Sequence, residues 1–464
     1  MAAMAEPTTL LIIGASGDLT SRLLLPALGE LLRGQPDRRV HVVGAGRTAL
    51  SDTQWRGRVR TAFRAADADE ALGAVVSTPF IVGDAGTAKG LRAIIDQVPE
   101  GRLVLYFAVP PAVAASACAA LRPADLPDGT ILALEKPFGD DEDSARELNA
   151  VVRALLPESQ VFRVDHFLGR STVLNVLGVR FANRLFEPVW SAEHVASVDI
   201  RFDETLGLEG RADYYDHAGA MIDMIQSHLL QVLAVVAMEP PATLGDADVR
   251  DATAAVLRAT RIWDDNPVRS SHRARYTAGT AGGQDLPSYV DEPGVDPSRQ
   301  TETLAQITCE VRTARWAGVP FTLRSGKALG DPVTAIEVRL RPVRHLPVGF
   351  TAATAGADAG AVLRFSLGPD RLDVEIDVNG GDDPFALHRA TLGADLGLGA
   401  QRSYVEVLAA MLDGDATLSV RGDAAELCWR IIQPVRDAWA RGDVPLEEYP
   451  AGSAGPDGWG PAPR

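Results

Sequence analysis

The sequence predicts two domains of different class. An α/β domain with a parallel sheet occupies residues 1–165, and a larger α+β domain with a mainly antiparallel sheet occupies 166–464. Three observations carry this. The chain, at 464 residues, is too long for one ordinary core. Its N-terminal third alternates short apolar strands with helical patterns. Its later strands alternate apolar and polar residues, the mark of sheets with one wet face.

The first strand, Thr9 to Ile13, is a compact apolar run ending in Gly14-Ala15-Ser16-Gly17-Asp18-Leu19. A helical pattern follows from Leu23 to Leu32, with Pro26 near its start and Gly34 at its end. Strand, glycine turn and helix together aim backbone N–H groups at a phosphate. Gly14 would permit the tight turn and Gly17 the close approach of a pyrophosphate. The spacing falls short of G-x-G-x-x-G, so a plain strand-to-helix turn explains it as well. The second strand, Arg39 to Val43, favours a Rossmann-like dinucleotide-binding domain. It runs into Gly44-Ala45-Gly46-Arg47-Thr48. An acid at this place would hold a ribose 2′-hydroxyl, whereas an arginine attracts a 2′-phosphate. Arg47 stands there with no acid before it, so the expected cofactor is NADP, with NAD still open. The alternative for Arg47 is a solvated loop charge.

Leu103 to Val109 is a third strand, leading through Pro110-Pro111 into an Ala-rich helix, Val113 to Leu121. Thr130 to Leu134 is another, ending in Glu135-Lys136-Pro137-Phe138-Gly139. Ligands of open parallel sheets collect at the carboxyl ends of strands, where Lys136 sits. A lone loop lysine is more often merely solvated. Pro137 is a candidate for a cis bond.

Composition narrows the classes of function. Net charge is −17, with 45 basic against 62 acidic residues, which argues against nucleic acid or an anionic membrane as partner. A local basic pocket for a small anion stays compatible with it. Cys118, Cys309 and Cys428 lie far apart, show no metal-ligand spacing and suit a reducing compartment. The stretch Met1 to Pro7 lacks the basic region of a signal peptide, and no apolar run, Leu229 to Met238 included, reaches the ~18 residues that span a bilayer. A cytoplasmic protein without a metal is expected.

In the second domain, Val198 to Phe202, Val338 to Arg341 and Leu372 to Val378 alternate with period two. Helices are expected over Ala220 to Ala237 and Ser403 to Leu412. The segments Gly282 to Pro297 and Ala352 to Gly360 read as loops, and Gly452 to Pro463 as a loose tail.

Two stretches concentrate chemistry. Phe162-Arg163-Val164-Asp165-His166-Phe167-Leu168-Gly169-Arg170 gathers a carboxylate, an imidazole and two guanidiniums around a glycine. That set can pair acid with base and hold an anion, although such clusters are often only ion-pair networks. In Met221 to Leu229, helical spacing puts Met221, Met224, Ile225 and His228 on one face. A histidine on an apolar stripe is usually a satisfied core residue. The alternative is a neutral imidazole with a pKa near ~6.5, suited to removing a proton near neutral pH.

With these motifs, the chain resembles the glucose-6-phosphate 1-dehydrogenase family over nearly its whole length. The matching stretches are Gly14 to Leu19, Glu135 to Gly139, Arg163 to Gly169, Asp223 to Gln231 and Ala237 to Pro241. Thr301 to Thr303, Arg315 to Phe321, Gly326 to Leu329 and Ala451 to Pro456 continue the series. The resemblance implies oxidation of the C1 hydroxyl of glucose 6-phosphate to the phosphogluconolactone, with hydride passing to NADP or NAD. It implies that His228 is the general base and that Asp165 orients it. His166 and Arg170 match phosphate-binding positions. Lys136 matches the lysine that contacts both substrate and cofactor. Glu204, Asp223 and Lys327 match residues that hold sugar hydroxyls or phosphate. Gly14, Ser16, Gly17, Asp18, Leu19, Arg47 and Tyr106 fall in the cofactor site. A homodimer or homotetramer built through the large sheet is implied as well.

Departures from the family cluster at the substrate. Phe167 and Arg170 stand where tyrosine and lysine are usual, and Arg for Lys is not a neutral exchange. Ser21-Arg22-Leu23 replaces a Lys-Arg-Lys, Ile222 replaces an arginine, and Gly330-Asp331-Pro332-Val333 supplies no second basic residue. Three readings stay open here: glucose 6-phosphate as substrate, an unphosphorylated aldose or other sugar phosphate, and a catalytically idle paralogue.

Overall fold

The computed structural model describes residues 7–352, 360–380, 383–397 and 402–459. The chain divides into two compact units. The first comprises Met1–Gly169, Pro241–Asp251 and Gln401–Glu426, and the second Arg170–Pro240, Ala252–Ala400 and Leu427–Arg464. Two late segments thus return to the first unit, which a single division after residue 165 does not describe.

The first unit holds an eight-stranded sheet. Its strands lie in the order Ser419–Val420, Val161–Val164, Ile131–Glu135, Leu103–Phe107, Thr8–Ile13, Val40–Gly46 and Val75–Ser77, with Phe80–Val82 also paired to Val40–Gly46. Neighbours are parallel except at Ser419–Val420, which runs antiparallel to Val161–Val164. Leu10, Leu11, Ile12 and Ile13 are all buried, as a parallel strand covered on both faces requires. From Thr8–Ile13 the chain builds outward on one side through Val40–Gly46 and then on the other through Leu103–Phe107. The strand order therefore reverses at Thr8–Ile13, the place where open α/β sheets bind ligands.

Local chemistry explains the helices of this unit. Ser51 opens the Asp52–Ala65 helix with a capping box to Gln54, and Asp141 caps Glu142–Leu155. The Trp55 indole donates to the Val42 carbonyl at 3.1 Å and ties the first of these helices to the sheet. The Arg402–Asp413 helix packs Leu408 and Met411 into the same core as Leu28 and Leu31 of Leu25–Gly34, so it belongs here and not with the large sheet.

The second unit is built on an eleven-stranded sheet. Its order is Thr351–Ala352, Ala386–Gly397, Asp370–Asn379, Val362–Leu367, Thr334–Leu340, Val195–Asp203, Pro320–Gly326, Leu304–Val311, Ser271–Thr277 and Leu446–Pro450, with Thr260–Ile262 on Leu304–Val311. Pairing is antiparallel apart from three parallel pairs, one of which joins Val195–Asp203 to Pro320–Gly326. The helical stretch Ala212–Ala237 lies against the centre of this sheet.

Three expectations need correction. Ala212–Ala237 is long and apolar enough to cross a membrane, but 83% of its apolar window is buried within the protein, as in a core helix. Gly282 and Gly283, both with positive φ, close a hairpin between Gly279–Ala281 and Gln284–Leu286 in the segment read as a loop. The segment after Gly452 is packed as far as Trp459, whose indole donates to Glu447 at 3.0 Å, while the Ala454 carbonyl accepts from Arg324 at 2.7 Å. The rest of that tail, and most of Ala352 to Gly360, lies outside the described residues.

Candidate active site

In the first unit, the glycine turn sits at the point of strand reversal. Gly14 has φ +84°, and a Cβ there would stand 2.3 Å from the Ala108 carbonyl oxygen, so only glycine fits. Its N–H and that of Ala15 donate to Ala45, and Gly17 N–H returns to the Gly14 carbonyl at 2.9 Å. Gly17 and Asp18 are exposed while Ser16 and Leu19 are half-buried, so the outer edge of the turn opens to a ligand just before the Thr20–Leu24 helical turn. Arg47 is exposed immediately beyond Val40–Gly46. Close backbone, a helix start and a free-standing guanidinium suit a dinucleotide bearing a 2′-phosphate.

Tyr106 does not line that site through its side chain. Strand Leu103–Phe107 is covered on both faces, so the ring is fully buried and its hydroxyl donates to the Glu135 carboxylate. Burial pushes the Glu135 carboxyl up to about 7, against the pull of the Tyr106 hydroxyl and the Lys136 ammonium. Sequence reasoning missed Glu135. Its only signal was its place in Glu135-Lys136-Pro137, at the carboxyl end of a buried strand. Lys136 is half-buried there, and the Lys136–Pro137 bond is cis.

Asp165 follows Val161–Val164 and is buried. One of its oxygens accepts the Phe167 N–H at 2.9 Å and fixes the carboxylate against its own turn. The His166 ring stacks on Tyr404, with centroids 5.4 Å apart, a partner that no motif announced. The Phe167 ring is buried. Gly169 lets the Arg402–Asp413 helix approach, since a Cβ would lie 2.5 Å from the Ser403 carbonyl oxygen. Arg163 does not join this group. It is fully buried and paired with Glu158 at 2.7 Å and Asn149 at 2.7 Å, an internal brace.

In the second unit, Glu204 and Lys327 leave the ends of the parallel neighbours Val195–Asp203 and Pro320–Gly326, where Gly326 stands opposite Asp203. That register puts the Lys327 ammonium 2.7 Å from the Glu204 carboxylate and 5.2 Å from the centre of the Tyr215 ring. Tyr449 donates to the Lys327 carbonyl at 2.6 Å and steadies the turn. Lys327 is thus already matched by a carboxylate, which suits sugar hydroxyls better than a phosphate. Arg170 donates to the Leu367 carbonyl at 2.7 Å, with its guanidinium 5.3 Å from the centre of the Phe202 ring.

His228 is buried on the stretch Met221–Leu229, which is wound as a π-helix and not as the α-helix the spacing suggested. Met221, Met224, Ile225 and His228 are all buried, as expected, but the winding differs. Asp223 lies on the same stretch and accepts from the Tyr214 hydroxyl at 3.3 Å. π-Turns inside helices are frequent at functional sites. Among the described residues no group of three or more His, Cys, Asp or Glu is arranged to hold a metal.

Comparison with known proteins decides the family. Residues 11–175 match the model of the glucose-6-phosphate dehydrogenase NAD binding domain, and residues 177–460 match that of the C-terminal domain. The chain belongs to the glucose-6-phosphate dehydrogenase family. The glucose-6-phosphate 1-dehydrogenase of Gluconobacter oxydans is 39% identical, covering 97% of this chain and 95% of its own. Glucose-6-phosphate 1-dehydrogenase 2 of Mycobacterium bovis is 36% identical over 98% of this chain and 92% of its own. The solved glucose-6-phosphate 1-dehydrogenase of Mycobacterium avium superposes with TM-score 0.83 at 32% identity, over 97% of this chain and 95% of that one. A glucose-6-phosphate dehydrogenase solved in complex with glucose-6-phosphate gives TM-score 0.83 at 29% identity, over 98% and 96%. Family membership fits the glycine turn of the first unit, and it fits the acidic and basic groups of the second.

Proposed function

We propose that this chain oxidises D-glucose 6-phosphate at C1 to 6-phospho-D-glucono-1,5-lactone, with NADP as the hydride acceptor, in the pentose phosphate pathway. The observation that carries this is a buried imidazole, His228, on the same π-wound stretch as Asp223 in a member of this family. His228 takes the proton from the C1 hydroxyl as the C1 hydride departs. Asp165 orients the imidazole and offsets the charge it gains. Glu204, Asp223 and Lys327 hold the sugar hydroxyls, and His166 and Arg170 meet the phosphate. Lys136 contacts both substrate and cofactor. The backbone from Gly14 through Ser16, Gly17, Asp18 and Leu19 cradles the pyrophosphate, and Arg47 selects the 2′-phosphate. When bound, the nicotinamide ring supplies the acceptor for the hydride.

Initial rates with glucose 6-phosphate and with free glucose, each with NADP and NAD, test the proposal. A rate with free glucose and none with its 6-phosphate would transfer the activity to an unphosphorylated aldose. No rate with any aldose would leave an idle paralogue. The enzyme is further proposed to be cytoplasmic and to work as a homodimer or homotetramer built through the large sheet. That sheet carries cross-strand ion pairs, Glu337 with Arg364 and Asp377 with Arg389, and the exposed Leu392 on its opposite face. Sedimentation of the purified enzyme reads the oligomeric state, and a monomer at micromolar concentration refutes it.

A further inference from the structure

The helix that carries His228 is interrupted at Gly219, whose φ of +62° and ψ of 176° no helix contains. The room a side chain would need is occupied by a carboxylate, since a Cβ on Gly219 would stand 2.3 Å from Glu302 Oε1. That same oxygen accepts the Met221 N–H at 3.0 Å, and the Ala220 N–H donates to the Glu302 carbonyl at 3.3 Å. Glu302 comes from the segment just before strand Leu304–Val311 and is 8% exposed. Burial pushes its carboxyl up to about 7, opposed by the Met221 N–H and by the guanidiniums of Arg273 and Arg436.

The turn that begins at Met221 sets the direction of two side chains. In an α-helix, at about 100° per residue, groups five positions apart point about 140° away from one another. A π-turn, with i→i+5 bonds and about 4.4 residues per turn, brings them to about 50°. Asp223 and His228 are five positions apart, so they leave the axis on the same side only while the π winding persists. That winding is rare and needs an anchor.

We propose that Glu302 is a positioning residue of this enzyme: seated in the notch left by Gly219, it pins the first N–H of the π-turn and keeps Asp223 and His228 aimed at one sugar. It touches no reacting atom and acts through Met221. The inference takes from the proposed function the roles of Asp223 and His228. Gly219 follows from it as well, because any Cβ there would expel the carboxylate.

Steady-state kinetics with glucose 6-phosphate and NADP on the wild type, Glu302→Gln and Glu302→Ala test it, alongside direct NADP titration of each protein. Glutamine keeps an oxygen for the Met221 N–H and should retain turnover within about threefold, while alanine loses the acceptor and should lower kcat/KM by about thirtyfold or more. The loss in Glu302→Ala should fall on both kcat and the sugar KM, because the turn carries a base and a hydroxyl holder together. NADP affinity should not move, the glycine turn being part of the other unit. If Glu302→Ala fails to fold, Glu302→Asp decides, since it withdraws the carboxylate by one methylene and should show the same split. Wild-type kinetics in the alanine or aspartate variant would overturn the proposal. So would equal losses in Gln and Ala, or a parallel loss of NADP binding. A wild type without turnover would instead refute the proposed function, and the two failures are thereby separate.

Discussion

His228 shows how far a residue can be read from its neighbours in the chain. Its helical spacing placed it on an apolar face, and the structure buries it there with Met221, Met224 and Ile225. A core histidine and a catalytic base look alike at that level. The proposed role as base rests on Asp223 in the same π-wound stretch and on the family. Replacing His228 by asparagine removes the base at little cost in volume, so kcat should fall by about a thousandfold with the sugar KM nearly unchanged. Stopped-flow and steady-state NADPH formation read both quantities, and an unaltered kcat would remove His228 from the chemistry. Arg170 stands where the resemblance leads one to expect a lysine. Its guanidinium is held by Leu367 and faces Phe202, a fixed planar donor rather than a swinging ammonium. Arg170→Ala should raise the Michaelis constant for glucose 6-phosphate by about tenfold to a hundredfold, the worth of a charge-assisted hydrogen bond, and leave that for free glucose alone. Equal effects on both sugars would show that Arg170 does not meet phosphate.

At the scale of elements, the helix bearing His228 is held at both ends by groups that suit its dipole. Glu302 accepts at the start, and at the end Arg180 donates to Val236 and Met238, Trp190 to Val236 and Trp316 to Ala237, all between 2.7 and 2.9 Å. Arg180 is fully buried and its partner Glu187 stands 3.3 Å away. Arg180→Met would take the side-chain donor from the Met238 carbonyl, leaving Val236 to Trp190 and Glu187 to Arg315, and should destabilise the fold by about 1–3 kcal/mol. Urea unfolding followed by tryptophan fluorescence measures this, and a loss under about 1 kcal/mol would mean the end of the helix is held by the tryptophans alone. Elements of this kind were legible where pattern and burial agree. The parallel strands read as unbroken apolar runs, and the antiparallel ones alternate. The π winding was not legible, because a helix buried over most of its surface keeps no polar stripe to report its period. Nor was the Gly282-Gly283 hairpin taken for one, although its glycine pair is the signal a two-residue turn needs. The first-unit allegiance of Arg402–Asp413 was hidden for another reason: an amphipathic helix shows which face it buries, not against what.

For the whole molecule, the sequence showed two classes of sheet but not the thread between them, since the return of 241–251 and 401–426 to the first unit depends on contacts distant in the chain. Stability against pH is also a property of the whole, because both units bury carboxyls that burial pushes up, Asp199 and Asp203 in the second among them. Glu135 in the first and Glu302 in the second are both pushed up by burial to about 7, from the usual 4.5. A raised carboxyl pKa means that the folded state binds more protons than the unfolded one between those two values. The stabilisation is therefore full below about 4.5, drains away as pH rises to about 7, and is gone above it. By about 1.4 kcal/mol per pKa unit, each site accounts for at most about 3 kcal/mol of that loss. Opposing it at the acid end, Asp125 is held down to about 2 by Arg122, and Glu239 is held below its usual range by Arg315, so these pairs lose their worth as pH falls. Each pair has one exposed partner, Arg122 and Glu239, so they offset little. The protein should thus be most stable near pH 5 and weaken toward pH 8. Urea midpoints measured at pH 5, 6, 7 and 8 should decline in the wild type and flatten in the Glu135→Gln/Glu302→Gln double variant, which carries neither proton site. A midpoint that climbs from pH 5 to 8, or an identical slope in the double variant, would show that these two carboxyls are not held protonated by the fold.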